Sequence, residues 1–174
     1  MYLGEKGQLV LRVLHIAAAA SWLGSVLCVL LLVHAAPLAG ADDELFGMLR
    51  ATVIINQYLL VPAGAFGTFF TGLAHSLCTQ RGFFRYAWIS GKWLITLAVL
   101  LLGTVYLAPW AGQELDDVYR YGLVAYQHAD IADRHLQREL CCAACAGLLA
   151  AAVVLSVVRP GEKRHVIPRR IFPS

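Results

Sequence analysis

Charge is scarce in this chain, and that scarcity sets the class of protein. Of 174 residues only 14% are Asp, Glu, Lys or Arg, against roughly 25% in a typical soluble domain. Other absences narrow the chemistry. There is no Gly-rich phosphate loop, no nucleophile elbow, no zinc-protease helix and no pair of CxxC motifs, which argues against hydrolase, nucleotide-driven and thioredoxin-like activity. No run alternates apolar and polar residues over the roughly 10 positions that a membrane β-strand needs.

What the chain has instead is apolar length. Hydrophobic residues make up 59% of it, more than one soluble core of this size can hide. A bilayer crossing takes about 20 mostly apolar residues, and four such runs can be marked: 9–36, 52–77, 88–110 and 136–158. The expected fold class is therefore all-α, a four-transmembrane-helix bundle in a single integral membrane domain covering residues 1–174. The first run has the outline of a secretory signal, with Lys6 and Arg12 ahead of it and His34-Ala35-Ala36 behind. Its apolar stretch exceeds the roughly 7–15 residues of a signal core, so it reads as a retained span.

Charge placement supplies a second, independent count. The first connection is acidic (Asp42, Asp43, Glu44), the second basic (Arg81, Arg85, then Lys92), and the tail over 159–174 basic again (Arg159, Lys163, Arg164, Arg169, Arg170). Lys and Arg stay on the cytoplasmic side, so both termini and the second connection are expected inside. Ten of the fourteen basic residues then lie inside, which requires an even number of spans. The basic tail meets anionic lipid headgroups most simply; nothing points to nucleic acid.

Small residues at four-residue spacing mark the packing faces, because lipid offers no hydrophobic drive for helix association and close backbone approach must substitute. They are Ala17, Ser21 and Ser25 in the first run, Gly64, Thr68 and Gly72 in the second, and Ala143, Gly147 and Ala151 in the fourth. The third run is bulkier and relies on Gly103 and Thr104. Pro62 predicts a local kink inside the second run, whereas Pro37, Pro109 and Pro160 fall where helices should end. Between 115 and 130 apolar residues recur near helical spacing, read as a short amphipathic helix on the outer surface ahead of a long fourth helix; the alternative is that the fourth helix starts early and projects outward.

Ionisable residues inside spans are functional candidates by default, since burying them costs several kcal/mol unless a partner compensates. His15, His75 and Lys92 come from three different runs yet fall at a similar depth on the cytoplasmic side, given about 1.5 Å of rise per residue. Imidazole is a good axial ligand for haem iron, so His15 and His75 are candidate iron ligands and Lys92 a candidate contact for an acidic substituent. The plainer readings are a snorkelling lysine and an interfacial histidine. A second set, His34, His128, His135 and the run Cys141-Cys142-Ala143-Ala144-Cys145, lies towards the outer side. Cys141 and Cys145, one turn apart, have a spacing that can hold Cu(I), although cysteine as a small hydrophobe accounts for them too.

Several segments resemble known families. Leu14-His15-Ile16 followed by Ser21-Trp22-Leu23-Gly24 is similar to the first helix of a group of small bacterial membrane proteins that includes the CopD-type copper-resistance domain and the HemJ-type protoporphyrinogen oxidase. Closer is an uncharacterised bacterial four-helix membrane family, which Thr71-Gly72-Leu73, the turn Gly82-Phe83-Phe84-Arg85-Tyr86-Ala87-Trp88, Lys92 and the ending Leu155-Ser156-Val157-Val158-Arg159-Pro160 resemble. The resemblance implies a multi-pass protein of the bacterial cytoplasmic membrane. Through the HemJ-type link it implies haem b or porphyrin binding, with His15 as ligand and Lys92 touching the cofactor. Alternatives are a non-enzymatic accessory subunit of a larger respiratory-type complex, in contact with lipids and other subunits, and a binder of quinone or copper.

Overall fold

The computed structural model describes residues 4–78 and 87–158. Among these residues every regular element is helical, and the helices join into four long rods. The first rod is α1 (Glu5–Ala35), closed by a 3-10 turn at Ala36–Leu38. The second joins α2 (Asp42–Ile55) to α3 (Gly67–Cys78) through a π-helical stretch, Asn56–Phe66. The third joins α4 (Ala87–Leu102) to α5 (Ala108–Tyr121) through a shorter one, Gly103–Leu107. The fourth is α6 (Ala129–Val158). All four are long and apolar enough to cross a membrane. Arg81, Arg85, the Gly82–Tyr86 motif residues, Pro160 and the basic tail lie outside the described residues.

The rods run further than the apolar stretches. The first connection expected at Asp42, Asp43 and Glu44 is in fact the first turn of α2, where carboxylates complement the positive end of the helix dipole. Pro109 does not end the third rod: it occupies the opening positions of α5, where its missing N–H costs little. The 115–121 segment accordingly continues that rod instead of forming a separate surface helix, and α6 begins at Ala129, well before its apolar run. Pro62 sits within the eleven-residue π-helical stretch; its ring and missing donor disfavour an ordinary α register there. Between the third and fourth rods the chain turns at Gly122, whose φ of +59° suits glycine. The Leu123 N–H donates to Asp42 Oδ1 at 2.7 Å across that turn.

Packing follows a seven-residue beat. The buried positions of α6 are Ile131, His135, Arg138, Cys142, Cys145, Ala146 and Leu149; Ala146 apart, they alternate steps of four and three as in a knobs-into-holes seam. In α1 the same alternation runs through Trp22, Val26, Val29 and Val33. Two apolar clusters result. One centres on Trp22, Leu60, Val99, Cys142 and Leu149; the other, at the end holding the 38–42 and 122–128 connections, contains Ala36, Leu45, Leu49, Val118, Ala125 and Ile131. The outward faces are also apolar: Leu31, Leu94 and Val157 are 68%, 71% and 77% exposed, the reverse of a bundle built for water.

The first and second rods approach most closely. A Cβ on Gly64 would lie 2.7 Å from the Trp22 Cα, one on Gly67 3.1 Å from the Ala18 Cβ, and one on Gly72 3.3 Å from His15 Cε1. The small residues of the second run thus do face a partner. Those of the fourth do not: Ala143, Gly147 and Ala151 are exposed, because the buried seam of α6 belongs to the Cys142–Cys145–Leu149 face. In the first run Ser25 is buried while Ala17 is exposed, and the contact line is His15, Ala18 and Trp22.

Candidate functional site

The end of the bundle where α1 begins carries the residues singled out from the sequence. His15 is half-buried and packs against the second rod, its ring over Gly72. Its Nδ1 lies 2.9 Å from Thr71 Oγ1. The Thr71 hydroxyl has one hydrogen to give; if that hydrogen goes to the Gly67 carbonyl at 2.6 Å, Nδ1 is the nitrogen that carries the proton bridging to Thr71. In the neutral ring the lone pair then resides on Nε2. The Thr68 carbonyl, Lys92 and His75 lie within electrostatic range of this ring. Residues from α1, α3 and α4 therefore share one neighbourhood, and both His75 and Lys92 are half-buried. The Thr68 hydroxyl oxygen is buried there without a hydrogen-bond partner among the described residues.

Were a haem bound here, it would draw on this donor set. A metal-ligating histidine ordinarily gives its second N–H to a fixed acceptor, which orients the ring and sets the tautomer; Thr71 does this for His15. His15 Nε2 is the nitrogen that would ligate, with His75 as the second imidazole and Lys92 as the cation for a propionate.

A second polar group, not anticipated as a unit, occupies the layer between the two apolar clusters. Glu114 of α5 is 6% exposed, His135 8% and Arg138 of α6 2%. Glu114 Oε1 accepts from His135 Nδ1 at 2.7 Å and from the Tyr126 hydroxyl at 2.7 Å. Its Oε2 accepts from Arg138 Nη1. Arg138 Nη2 donates to Thr52 Oγ1 at 2.8 Å, and Thr52 passes its own proton to the Leu49 carbonyl at 2.8 Å. One carboxylate, one guanidinium, one imidazole and two hydroxyls thus tie α2, α5, α6 and the 122–127 turn together. Buried charges are tolerable only when paired and hydrogen-bonded in this way.

Glu114 lies beyond the third apolar run and Arg138 at the start of the fourth, so neither stands out as an ionisable residue deep in a span. The signal that identifies them was present: Ala111, Glu114 and Val118 in α5, and Ile131, His135, Arg138, Cys142 and Cys145 in α6, keep three- and four-residue steps, so the charged members fall on the apolar seams.

The remaining outer-side candidates are not brought together. His34 Nδ1 pairs with Glu139 Oε1 at 2.6 Å on the surface, His128 packs on the Tyr121 ring at a centroid distance of 4.8 Å, and His135 belongs to the Glu114 network. Cys141 is half-buried, while Cys142 and Cys145 are buried in the core. Among the described residues no group of three or more His, Cys, Asp and Glu side chains is arranged to hold a metal ion.

No family model, no curated protein and no solved structure matches this chain.

Proposed function

We propose that this is an integral membrane protein that binds haem or a related porphyrin between its helices, near the cytoplasmic face, and serves electron transfer. The observation that carries the reading is the His15–Thr71 pair, which leaves Nε2 as the imidazole lone pair in a neighbourhood shared with His75 and Lys92. Bound haem would supply reversible one-electron exchange at its iron. The chain's part is to hold the His15 ring at a fixed angle, to offer His75 as a second ligand, and to neutralise an acidic substituent with Lys92. The helices support the membrane placement by length and composition, and the charge distribution supports both termini inside. The likeness of the Leu14–Gly24 segment and of Lys92 to HemJ-type proteins adds to it.

The test is the visible spectrum of protein purified from haem-replete cells. A Soret band that is lost in His15→Ala and reduced in His75→Ala supports the reading. A colourless protein that added haem does not reconstitute overturns it.

One observation favours a second reading, an accessory subunit of a larger membrane assembly. Ala143, Gly147 and Ala151 form a small-residue face of α6 that points away from this bundle, and in lipid such faces accept a neighbouring helix. Copurification from native membranes tests it: a lone monomer in mild detergent, with nothing attached, removes the case.

A further inference from the structure

Three of the four rods continue past the Glu114–Arg138 layer, away from the end where α1 begins. The second rod starts at Asp42, ten residues before Thr52; the third runs to Tyr121, seven after Glu114; α6 starts at Ala129, nine before Arg138. At 1.5 Å per residue the three extend about 10–15 Å beyond the layer. Exposed Tyr58 and the neighbouring rings of Tyr106 and Trp110, 5.5 Å apart, lie on the other side of that layer. Tyrosine and tryptophan so placed mark a membrane–water boundary. With the membrane placed as proposed above, the extension stands in water.

This extension is acidic, with an apolar centre. Residues 38–50 and 115–134 together carry seven carboxylates against three arginines, in a chain whose net charge is +3. Asp43, Glu44, Asp130 and Asp133 are all exposed. At the tip, the 38–42 and 122–127 connections are stitched together where the Leu123 N–H meets Asp42. Leu38, Tyr121, Leu123 and Val124 are exposed on these connections or beside them, Leu38 at 79% and Val124 at 48%. The tip is nonetheless packed underneath, on Ala36, Leu45, Ala125 and Ile131. Exposed leucines need no account where lipid covers them, but a group of them in water marks an interaction site. An apolar centre with tyrosine in it and a charged rim is the anatomy of a protein–protein contact.

We infer that this tip is the docking surface for a basic soluble protein, on the side of the membrane opposite the start of α1. The partner presents lysines or arginines around an apolar patch of its own. Charge selects among the occupants. A second copy of this chain would set carboxylates against carboxylates, and anionic headgroups would be repelled in the same way; like charges brought together weaken a contact. A basic face is attracted, and its encounter with the tip is faster at low salt. The docking surface depends on the membrane placement and not on haem, so either assignment can fail alone.

The experiment places the photo-crosslinking residue p-benzoylphenylalanine at Val124 of the full chain in its native cells and identifies the adduct by mass spectrometry. One adduct is expected, with a soluble protein of basic isoelectric point. Its yield should fall several-fold when salt is raised from 0.1 to 1 M, which shortens the screening length from about 10 to about 3 Å. A similar fall is expected in Asp43→Asn with Glu44→Gln, and separately in Asp130→Asn with Asp133→Asn. The two pairs lie on different helices, so one remains informative if the other disturbs folding. No adduct, or a yield indifferent to salt and to both pairs, overturns the proposal. So does an adduct with a second copy, a lipid, an integral membrane protein or an acidic protein. Labelling of Leu123→Cys by a membrane-impermeant maleimide, in salt-washed spheroplasts with the parent chain as blank, separates the two ways of failing. A labelled cysteine without an adduct refutes the docking alone, and an unlabelled one refutes the membrane placement beneath it.

Discussion

Arg138 and Thr52 stand 86 positions apart in the chain, yet Arg138 Nη2 donates to Thr52 Oγ1 at 2.8 Å. The same guanidinium holds Glu114 with its other terminal nitrogen, so a single side chain of α6 closes the second and third rods onto the fourth. Apolar packing lies above and below this layer. The layer therefore fixes which residues face each other, a role that apolar side chains sliding in register fill less well.

Removing one partner of this layer should be costly. Glu114→Ala leaves a buried guanidinium without its counter-charge, for which about 3–5 kcal/mol is the usual loss. Replacing both partners, Glu114→Leu with Arg138→Met, should cost less than Glu114→Ala alone, because no unpaired charge remains. Thermal unfolding in detergent, followed by circular dichroism, reads both. A double replacement as damaging as the single one would show that the layer acts through something other than charge pairing.

How much of this was legible beforehand depends on what each pattern measures. Hydropathy and length located the four rods, because an apolar run of span length has few other outcomes. That Gly64 and Gly72 lie on a packing face of the second rod was readable, though not that its neighbour is the first. The Ala143–Gly147–Ala151 face was misassigned because spacing identifies a face without saying which neighbour it meets, and α6 buries Cys142, Cys145 and Leu149 instead. Glu114 and Arg138 were hidden for a different reason. A charge at the edge of an apolar run or beyond it is ordinarily hydrated, and only the continuation of α5 past its run, opposite the start of the fourth run, brings these two face to face. Lys92, His75 and His15 were grouped by depth alone.

The contact of Gly64 with Trp22 predicts a sharp contrast between glycines. A Cβ at Gly64 falls 2.7 Å from the Trp22 backbone, closer than real atoms approach, so Gly64→Ala must push the first two rods apart. Overpacking of this kind costs about 1–3 kcal/mol. Gly147→Ala meets nothing within 4 Å and should be neutral or raise stability by up to about 1 kcal/mol through helix propensity. Melting temperatures of the two variants in one detergent decide it: similar behaviour would mean that Gly64 is not at a tight crossing.

The turn at Gly122 makes a separate demand on the backbone. Its φ is +59°, and a Cβ there would also strike Asp42 Oδ1 at 2.6 Å. Gly122→Ala should lose about 1–3 kcal/mol. Asp42→Ala, which forfeits the hydrogen bond from the Leu123 N–H and one first-turn carboxylate of α2, should lose about 0.5–1.5 kcal/mol. Hydrogen exchange at Leu123 distinguishes the two effects, since its amide should exchange faster in Asp42→Ala even where global stability is little changed.

The hydrogen count at Thr71 makes the state of His15 testable with no cofactor present. If the Thr71 proton goes to the Gly67 carbonyl, 2.6 Å away, the His15 ring holds its hydrogen on Nδ1, and nitrogen NMR of histidine-labelled protein should show Nε2 as the unprotonated nitrogen. Thr71→Val removes the acceptor while keeping nearly the same volume. It should leave the two tautomers mixed, since no partner at that position then selects between them. A ring protonated at Nε2 in the parent protein would reverse the assignment. It would also remove the lone pair from the nitrogen on which iron binding at His15 depends.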